Sequence, residues 1–113
     1  MASPFTHLLA DFVGVPAPQL RDPAAMSGLI VAAAGAAGFA SLGAPVIRQT
    51  LHDGCAGLLL LDGCHIALHG FPERELLLLD VLAPTEREAR KAVDVFARRL
   101  SSATLRVEVR ARG

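Results

Sequence analysis

The sequence predicts an α/β fold of the α+β kind, a two-layer sandwich in which a mainly antiparallel sheet carries two helices on one face. Short apolar runs alternate with turn residues such as Asp53-Gly54 and Asp62-Gly63, a pattern typical of antiparallel hairpins. Two longer segments carry helix-start signals instead. A length of 113 residues suits one core, so we expect a single domain over residues 1–113.

The first half of the chain predicts a strand, a helix and a second strand. Residues 5–12 form an apolar strand-like run, and a Pro-containing break, VGVPAP, follows it. Asp22 is an N-cap with Pro23 in the first turn, and the Ala-rich segment AAMSGLIVAAAGAAG continues as helix. Its glycines weaken the helix and eventually stop it. Residues 44–51 are the next predicted strand.

The second half predicts three hairpin strands, a helix and a final strand, which gives the order β-α-β-β-β-β-α-β. The strands are CAGLLLL, CHIALHG and ELLLLDVL. Thr85 with Glu88 three residues later has the spacing of a capping box, and apolar residues follow at 89, 92, 93, 96, 97 and 100. In TLRVEVRAR, period two places Leu105, Val107 and Val109 inward and the charged residues outward.

Composition excludes several classes of protein and favours an assembly. Hydrophobic residues make up 52% of the chain and charged residues 19%, so we expect another subunit to cover part of the surface. The 11 basic and 11 acidic residues balance, which argues against nucleic-acid or membrane partners. Apolar runs fall far short of the roughly 20 residues of a membrane span, and MASPFTHLLADF lacks signal-peptide features. We expect a cytoplasmic protein with reduced thiols.

The strand CHIALHG contains the side chains best suited to chemistry. Alternation places Cys64 on one face and His65 and His69 on the other. Histidines spaced by four on a strand lie roughly 13 Å apart at Cα, so we expect no metal ligands here. From the residues alone, a buried thiol and ordinary histidines are favoured over catalysis.

A family resemblance changes that balance. The stretch LLLLDGCHIALHGFPERELLLLDVLAP resembles the self-processing region of the small prokaryotic S-adenosylmethionine decarboxylases. THLLADFVGV is similar to the opening His-x-x-x-Glu/Asp-Phe strand of that family, and DGCAGLLLL to its Gly-x-Ser-Gly-apolar strand. The resemblance implies a lyase of polyamine biosynthesis. Members cleave their own backbone before a serine, convert that serine to a pyruvoyl group and use it to decarboxylate S-adenosylmethionine.

Several family positions are retained in this sequence. They are His65, His69, Pro72, Glu73 and Asp80, with Phe71 in place of the usual tryptophan. The resemblance implies catalytic roles for Cys64, His65 and His69, and ligand binding by His7, Phe71 and Glu73.

Four positions depart from the family pattern. Cys64 stands at the pyruvoyl-forming serine, Gly63 at the preceding glutamate, Ala56 at a neighbouring serine and Pro84 at the cysteine proton donor. These departures predict a divergent member that forms no serine-derived pyruvoyl group. We expect it to use the family pocket for a small-molecule ligand or for altered acid–base chemistry, with no other cofactor.

Two alternatives stay open. In one, the chain is an active decarboxylase, a carboxy-lyase whose pyruvoyl group is made from Cys64, since a thiol can perform the corresponding N-to-S acyl shift. In the other, it is a non-catalytic regulatory subunit of a true decarboxylase. The resemblance further implies a homodimer and a ligand that is S-adenosylmethionine or a related amino-acid or adenosyl compound.

Overall fold

Six strands form one antiparallel sheet in the order β2-β3-β4-β5-β1-β6, and the helices lie against one of its faces. The computed structural model describes residues 3–113. The elements are β1 (Phe5–Val13), α1 (Ala17–Leu20), α2 (Pro23–Ala37), β2 (Val46–Gln49), β3 (Cys55–Leu61), β4 (Cys64–Phe71), β5 (Leu76–Ala83), α3 (Glu86–Arg99) and β6 (Thr104–Arg112). The predicted fold class and order are confirmed, with the one-turn helix α1 and a single 3₁₀ turn at Pro72–Arg74 as additions.

Both long helices begin where the capping residues predict. The Asp22 side chain accepts a hydrogen bond from the backbone N–H of Ala25, and Thr85 accepts one from that of Glu88. Helix α2 runs through its internal glycines and ends at Gly38, whose φ of 76° is the left-handed conformation that glycine adopts without steric cost. The Ala-rich segment is therefore one continuous helix.

The strand predicted over residues 44–51 is shorter than expected. Strand β2 covers only Val46–Gln49, because the chain turns at Thr50. The Thr50 hydroxyl accepts a hydrogen bond from the N–H of Gly54, and the Thr50 N–H donates to the Gly54 carbonyl. Leu51, at the tip of this turn, is fully exposed.

The core lies between the sheet and helices α2 and α3. The largest side chains that are fully removed from solvent include Phe12 and Phe96, whose ring centroids are 6.3 Å apart. Each such side chain contributes roughly 1.5–3 kcal/mol on burial. In β4 the predicted alternation is confirmed, since Cys64 points into this core while His65 and His69 lie on the other face of the sheet.

The prediction that the apolar residues of β6 point inward is confirmed for their direction but not for their burial. Pairing with β1 puts Leu105, Val107 and Val109 on the helix side, beside Phe12, Ala10 and Leu8 respectively. Each of the three remains 37–38% exposed, however. Helix α3 packs on β1 and β5 and so stops one strand short of this edge.

The opposite side of the sheet, which we call the open face, is not covered by any element within residues 3–113. It presents exposed apolar side chains, among them Leu58, Leu60, Phe71 and Leu78. None of the helices in the same range is long and apolar enough to cross a membrane.

Candidate functional site

The register of the strands determines which side chains of the open face are neighbours. One row across the sheet runs from Leu60 of β3 through His65, Leu82 and His7 to Arg110 of β6. Asp80 lies two residues before Leu82 on β5 and so points to the same face. Three adjacent strands thereby bring His7, His65 and Asp80 together.

These three groups form a connected polar cluster. His7 Nε2 hydrogen-bonds to Asp80 Oδ1, and His65 Nε2 lies 3.9 Å from Asp80 Oδ2. The Arg112 guanidinium lies 3.0 Å from His7 Nδ1. Because arginine only donates, Nδ1 of His7 must accept, which leaves Nε2 carrying the proton that it donates to Asp80. The side chains of the cluster are half-buried, between 18% and 37% exposed.

A second group of predicted residues surrounds a cavity of about 510 Å³ at the end of β4. Phe71 and Glu73 line it, together with His52, whose Nδ1 lies 3.9 Å from Glu73 Oε1. The ring of His69 stacks on Phe71 with centroids 6.4 Å apart. Arg74 lines the same cavity, so an aromatic ring lies beside charges of both signs. This combination suits a ligand that has apolar surface and both a positive and a negative group.

Cys64 lies apart from both groups. Its side chain is 7% exposed and points to the helix side, whereas His65 and His69 point to the open face. Burial raises the pKa of the Cys64 thiol, and the nearby carboxylates of Glu88 and Asp62 raise it further. The thiol of Cys55 is fully buried, and its pKa is raised by burial and by Asp22.

Within one chain, then, the predicted catalytic residues Cys64, His65 and His69 do not converge. His65 joins His7 and Asp80. His69 stacks on Phe71 but does not line the cavity beside it; His69 lines a second pocket of about 560 Å³ together with Asp80. The predicted ligand-binding residue His7 lies in the polar cluster and is not among the residues that line the cavity beside Phe71.

Sequence reasoning missed the contacts that organise the polar cluster. No metal ligands were expected because His65 and His69 are too far apart on one strand. The structure instead places Nε2 of His65 near an imidazole and a carboxylate from two other strands, with donor atoms of all three within 4.8 Å of one another. The isolated aspartate in the apolar strand LLLLDVL was the available signal, since a charged residue there needs a partner.

Comparisons with known proteins agree with this architecture. The family model described as S-adenosylmethionine decarboxylase matches residues 6–113. The crystal structure of the adenosylmethionine decarboxylase from Aquifex aeolicus VF5 superposes with a TM-score of 0.91 at 26% sequence identity, covering 100% of this chain and 93% of that one. No curated protein is significantly similar in sequence. The match over nearly the whole chain and the shared fold show that the chain belongs to the S-adenosylmethionine decarboxylase family.

Proposed function

We propose that this chain is a divergent family member that stays uncleaved, forms no pyruvoyl group and binds a small molecule in the family pocket. The ligand is S-adenosylmethionine or a related amino-acid or adenosyl compound. The observation that carries this proposal is the burial of the Cys64 thiol on the helix side of β4, beside the carboxylates of Glu88 and Asp62.

Self-cleavage at this position would need an activated thiol. Sulfur would have to attack the carbonyl carbon of Gly63, and the thiolate is the attacking form. Burial and two nearby carboxylates raise the pKa of Cys64, and the imidazole of His65 lies on the other face of the sheet. The residues present therefore do not fit a pyruvoyl centre.

Two further positions support the loss of decarboxylation. The resemblance assigns proton donation to the position of Pro84, which has no titratable side chain, and a hydroxyl to the position of Ala56, which has none. Ala56 is the register partner of His69 across β3 and β4, so the missing hydroxyl leaves His69 facing a methyl group. Any acid–base chemistry would then fall to His65 or His69.

The cavity beside β4 supports retention of a ligand. Phe71 supplies an aromatic face that attracts a sulfonium or ammonium centre, and the exposed carboxylate of Glu73 supplies a negative charge beside it. His69 stacks on the Phe71 ring and so restricts its orientation. A cationic ligand with an adenine-like ring matches both features.

We also propose a homodimer located in the cytoplasm. The exposed leucines of the open face support the dimer, because a sheet face that exposes several large apolar side chains is typically covered in the functional assembly. A second copy offers the same surface, which makes a self-complementary interface possible.

An intact-mass measurement under denaturing conditions tests the absence of processing. We expect one species of about the sequence mass, 11.8 kDa. Two fragments, of which the one beginning at residue 64 has a blocked N-terminus, would instead establish the alternative in which Cys64 becomes the pyruvoyl group.

Thermal unfolding with and without S-adenosylmethionine tests the ligand. At a concentration 100 times its dissociation constant, a ligand adds about 2.7 kcal/mol to the free energy of unfolding. We expect S-adenosylmethionine to raise the midpoint of thermal unfolding of the wild-type chain. The control variant Lys91→Ala, which alters an exposed residue of α3, should show the same rise. His69→Ala should lose most of this rise. If neither S-adenosylmethionine nor its decarboxylated form shifts the wild-type midpoint, the family ligand has been abandoned.

A further inference from the structure

We propose that His7, His65 and Asp80 bind a divalent first-row transition-metal ion on the open face. The site is separate from the cavity beside Phe71 and Glu73, and the proposal holds whether or not that cavity binds S-adenosylmethionine. Its basis is the convergence of three ligand atoms from three neighbouring strands, β1, β4 and β5.

The donor set is one that such ions prefer. Two imidazole nitrogens and one carboxylate oxygen suit zinc, cobalt, nickel and iron, while magnesium and calcium prefer oxygen ligands throughout. Three protein ligands leave coordination positions open for water or a small molecule. All three side chains are half-buried within one chain, so the ion would be partly shielded from solvent.

The geometry needs only side-chain adjustment. Ligand atoms around a tetrahedral zinc ion lie about 3.3 Å apart, given metal–ligand distances of about 2.0 Å. The three donor atoms already lie within 4.8 Å of one another, and Asp80 turns one carboxylate oxygen toward each imidazole. The backbone is held by continuous ladders on both sides of β5, so the site would form by side-chain rotation without moving the strands. His65 turns toward Asp80, while Nε2 of His7 and the Asp80 carboxylate, which are hydrogen-bonded to each other, move apart to admit the ion.

Arg112 is the group that opposes metal binding. It donates to Nδ1 of His7, which fixes the proton on Nε2, the atom that would coordinate the ion. Binding therefore requires His7 to move its proton to Nδ1 and Arg112 to release its hydrogen bond. Removing the guanidinium also removes a positive charge near the ion. Arg112→Gln should bind the metal more tightly than wild type, because a glutamine carbonyl accepts from the Nδ1–H of the coordinated form.

Titration of the full, untagged chain with Zn²⁺ by calorimetry, and with Co²⁺ by visible absorption, tests the site. We expect one ion per chain and a Co²⁺ spectrum of low coordination number. His65→Ala and Asp80→Asn should each weaken binding by at least about tenfold. The matched control is His52→Ala, which removes an exposed histidine outside the cluster. Metal-free thermal melts establish that each variant is folded, and His65→Gln replaces His65→Ala if the latter is not.

The proposal is overturned if the wild-type chain binds neither ion, or if His65 and Asp80 variants bind as tightly as His52→Ala. Unchanged or weaker binding in Arg112→Gln would overturn coordination through Nε2 of His7.

Discussion

Burial and nearby carboxylates together set the chemistry of the Cys64 thiol. Thr85 caps α3 as the sequence predicts, but Glu88 does not complete the box. Its Oε2 is buried and has no hydrogen-bond partner within residues 3–113. Burial is the largest cause of the raised pKa of the Cys64 thiol, and the Glu88 carboxylate raises that pKa further. Alternation along CHIALHG predicted the face on which Cys64 lies, whereas the carboxylate beside it comes from a helix 24 residues later, beyond the reach of local pattern.

We predict that Cys64 reacts with a limiting alkylating agent before Cys55. Cys64 is 7% exposed and Cys55 is completely buried, so access favours Cys64, although burial makes both thiols slow. Glu88→Gln should speed the labelling of Cys64, because removing the negative charge favours the thiolate. The control is Glu86→Gln, an exposed residue of the same helical turn that pairs with Arg90. Peptide mapping gives both rates, and equal rates in the two variants would refute the role of Glu88.

The two thiols also predict how stability depends on pH. Their pKa values are raised in the folded state, so the fold holds these protons more tightly than the unfolded chain does. The stability that the two protonated thiols contribute is complete below the ordinary thiol pKa of 9.0. It is lost as pH rises through the raised thiol pKa values of the folded state. We expect the free energy of unfolding to fall above pH 9.0, and to fall less steeply in the double variant Cys55→Ala, Cys64→Ala. Urea unfolding at a series of pH values above 9.0 measures this fall in the free energy of unfolding. The chain has no tyrosine, so no phenol group titrates in the same range.

At the scale of elements, glycines with similar sequence surroundings have opposite roles. Gly28 and Gly35 lie in α2, where an added methyl group would meet nothing within 4 Å. Gly57 lies in β3, where the same group would lie 2.5 Å from Cδ1 of Ile47 and 3.1 Å from Cδ1 of Ile30. The sequence showed glycines in a helix and in a strand, but only packing shows that α2 and β2 close over Gly57.

Alanine substitutions at these glycines should therefore change stability in opposite directions. Gly28→Ala should raise the free energy of unfolding by up to about 1 kcal/mol, since alanine loses less backbone entropy in a helix. Gly57→Ala should lower it by about 1–3 kcal/mol, because the extra methyl group overpacks the contact with Ile47 and Ile30. Chemical denaturation measures both. A neutral Gly57→Ala would mean that the ends of the isoleucine side chains move aside without cost.

For the whole molecule, the sequence predicted the layers but not the sheet order. Hairpin turns identify β3, β4 and β5 as neighbours, because those connections are local. The insertion of β1 between β5 and β6 depends on pairings across most of the chain, and His7 and Asp80 are 73 residues apart. The polar cluster consists of side chains that only this order brings together. It could not be predicted from spacing along the sequence.

We predict that the assembly depends on the apolar side chains of the open face. Leu60 is 57% exposed there, and a charge at this position would have to be desolvated in a dimer interface. Leu60→Glu should shift the sedimentation of the chain from dimer toward monomer. Leu51→Glu, at the fully exposed tip of the turn after β2, is the matched control and should leave the dimer intact. A dimer unaffected by Leu60→Glu would place the interface elsewhere.

The sheet order also determines what a break in the backbone at the β3–β4 turn would do. Residues 1–63 supply β1, β2 and β3, and residues 64–113 supply β4, β5 and β6. Since β1 lies between β5 and β6, the two pieces are interleaved, joined along three separate ladders. A nicked molecule would keep the size and shape of an intact one under native conditions. Two halves produced separately could likewise restore the sheet when mixed, in the manner of fragment complementation.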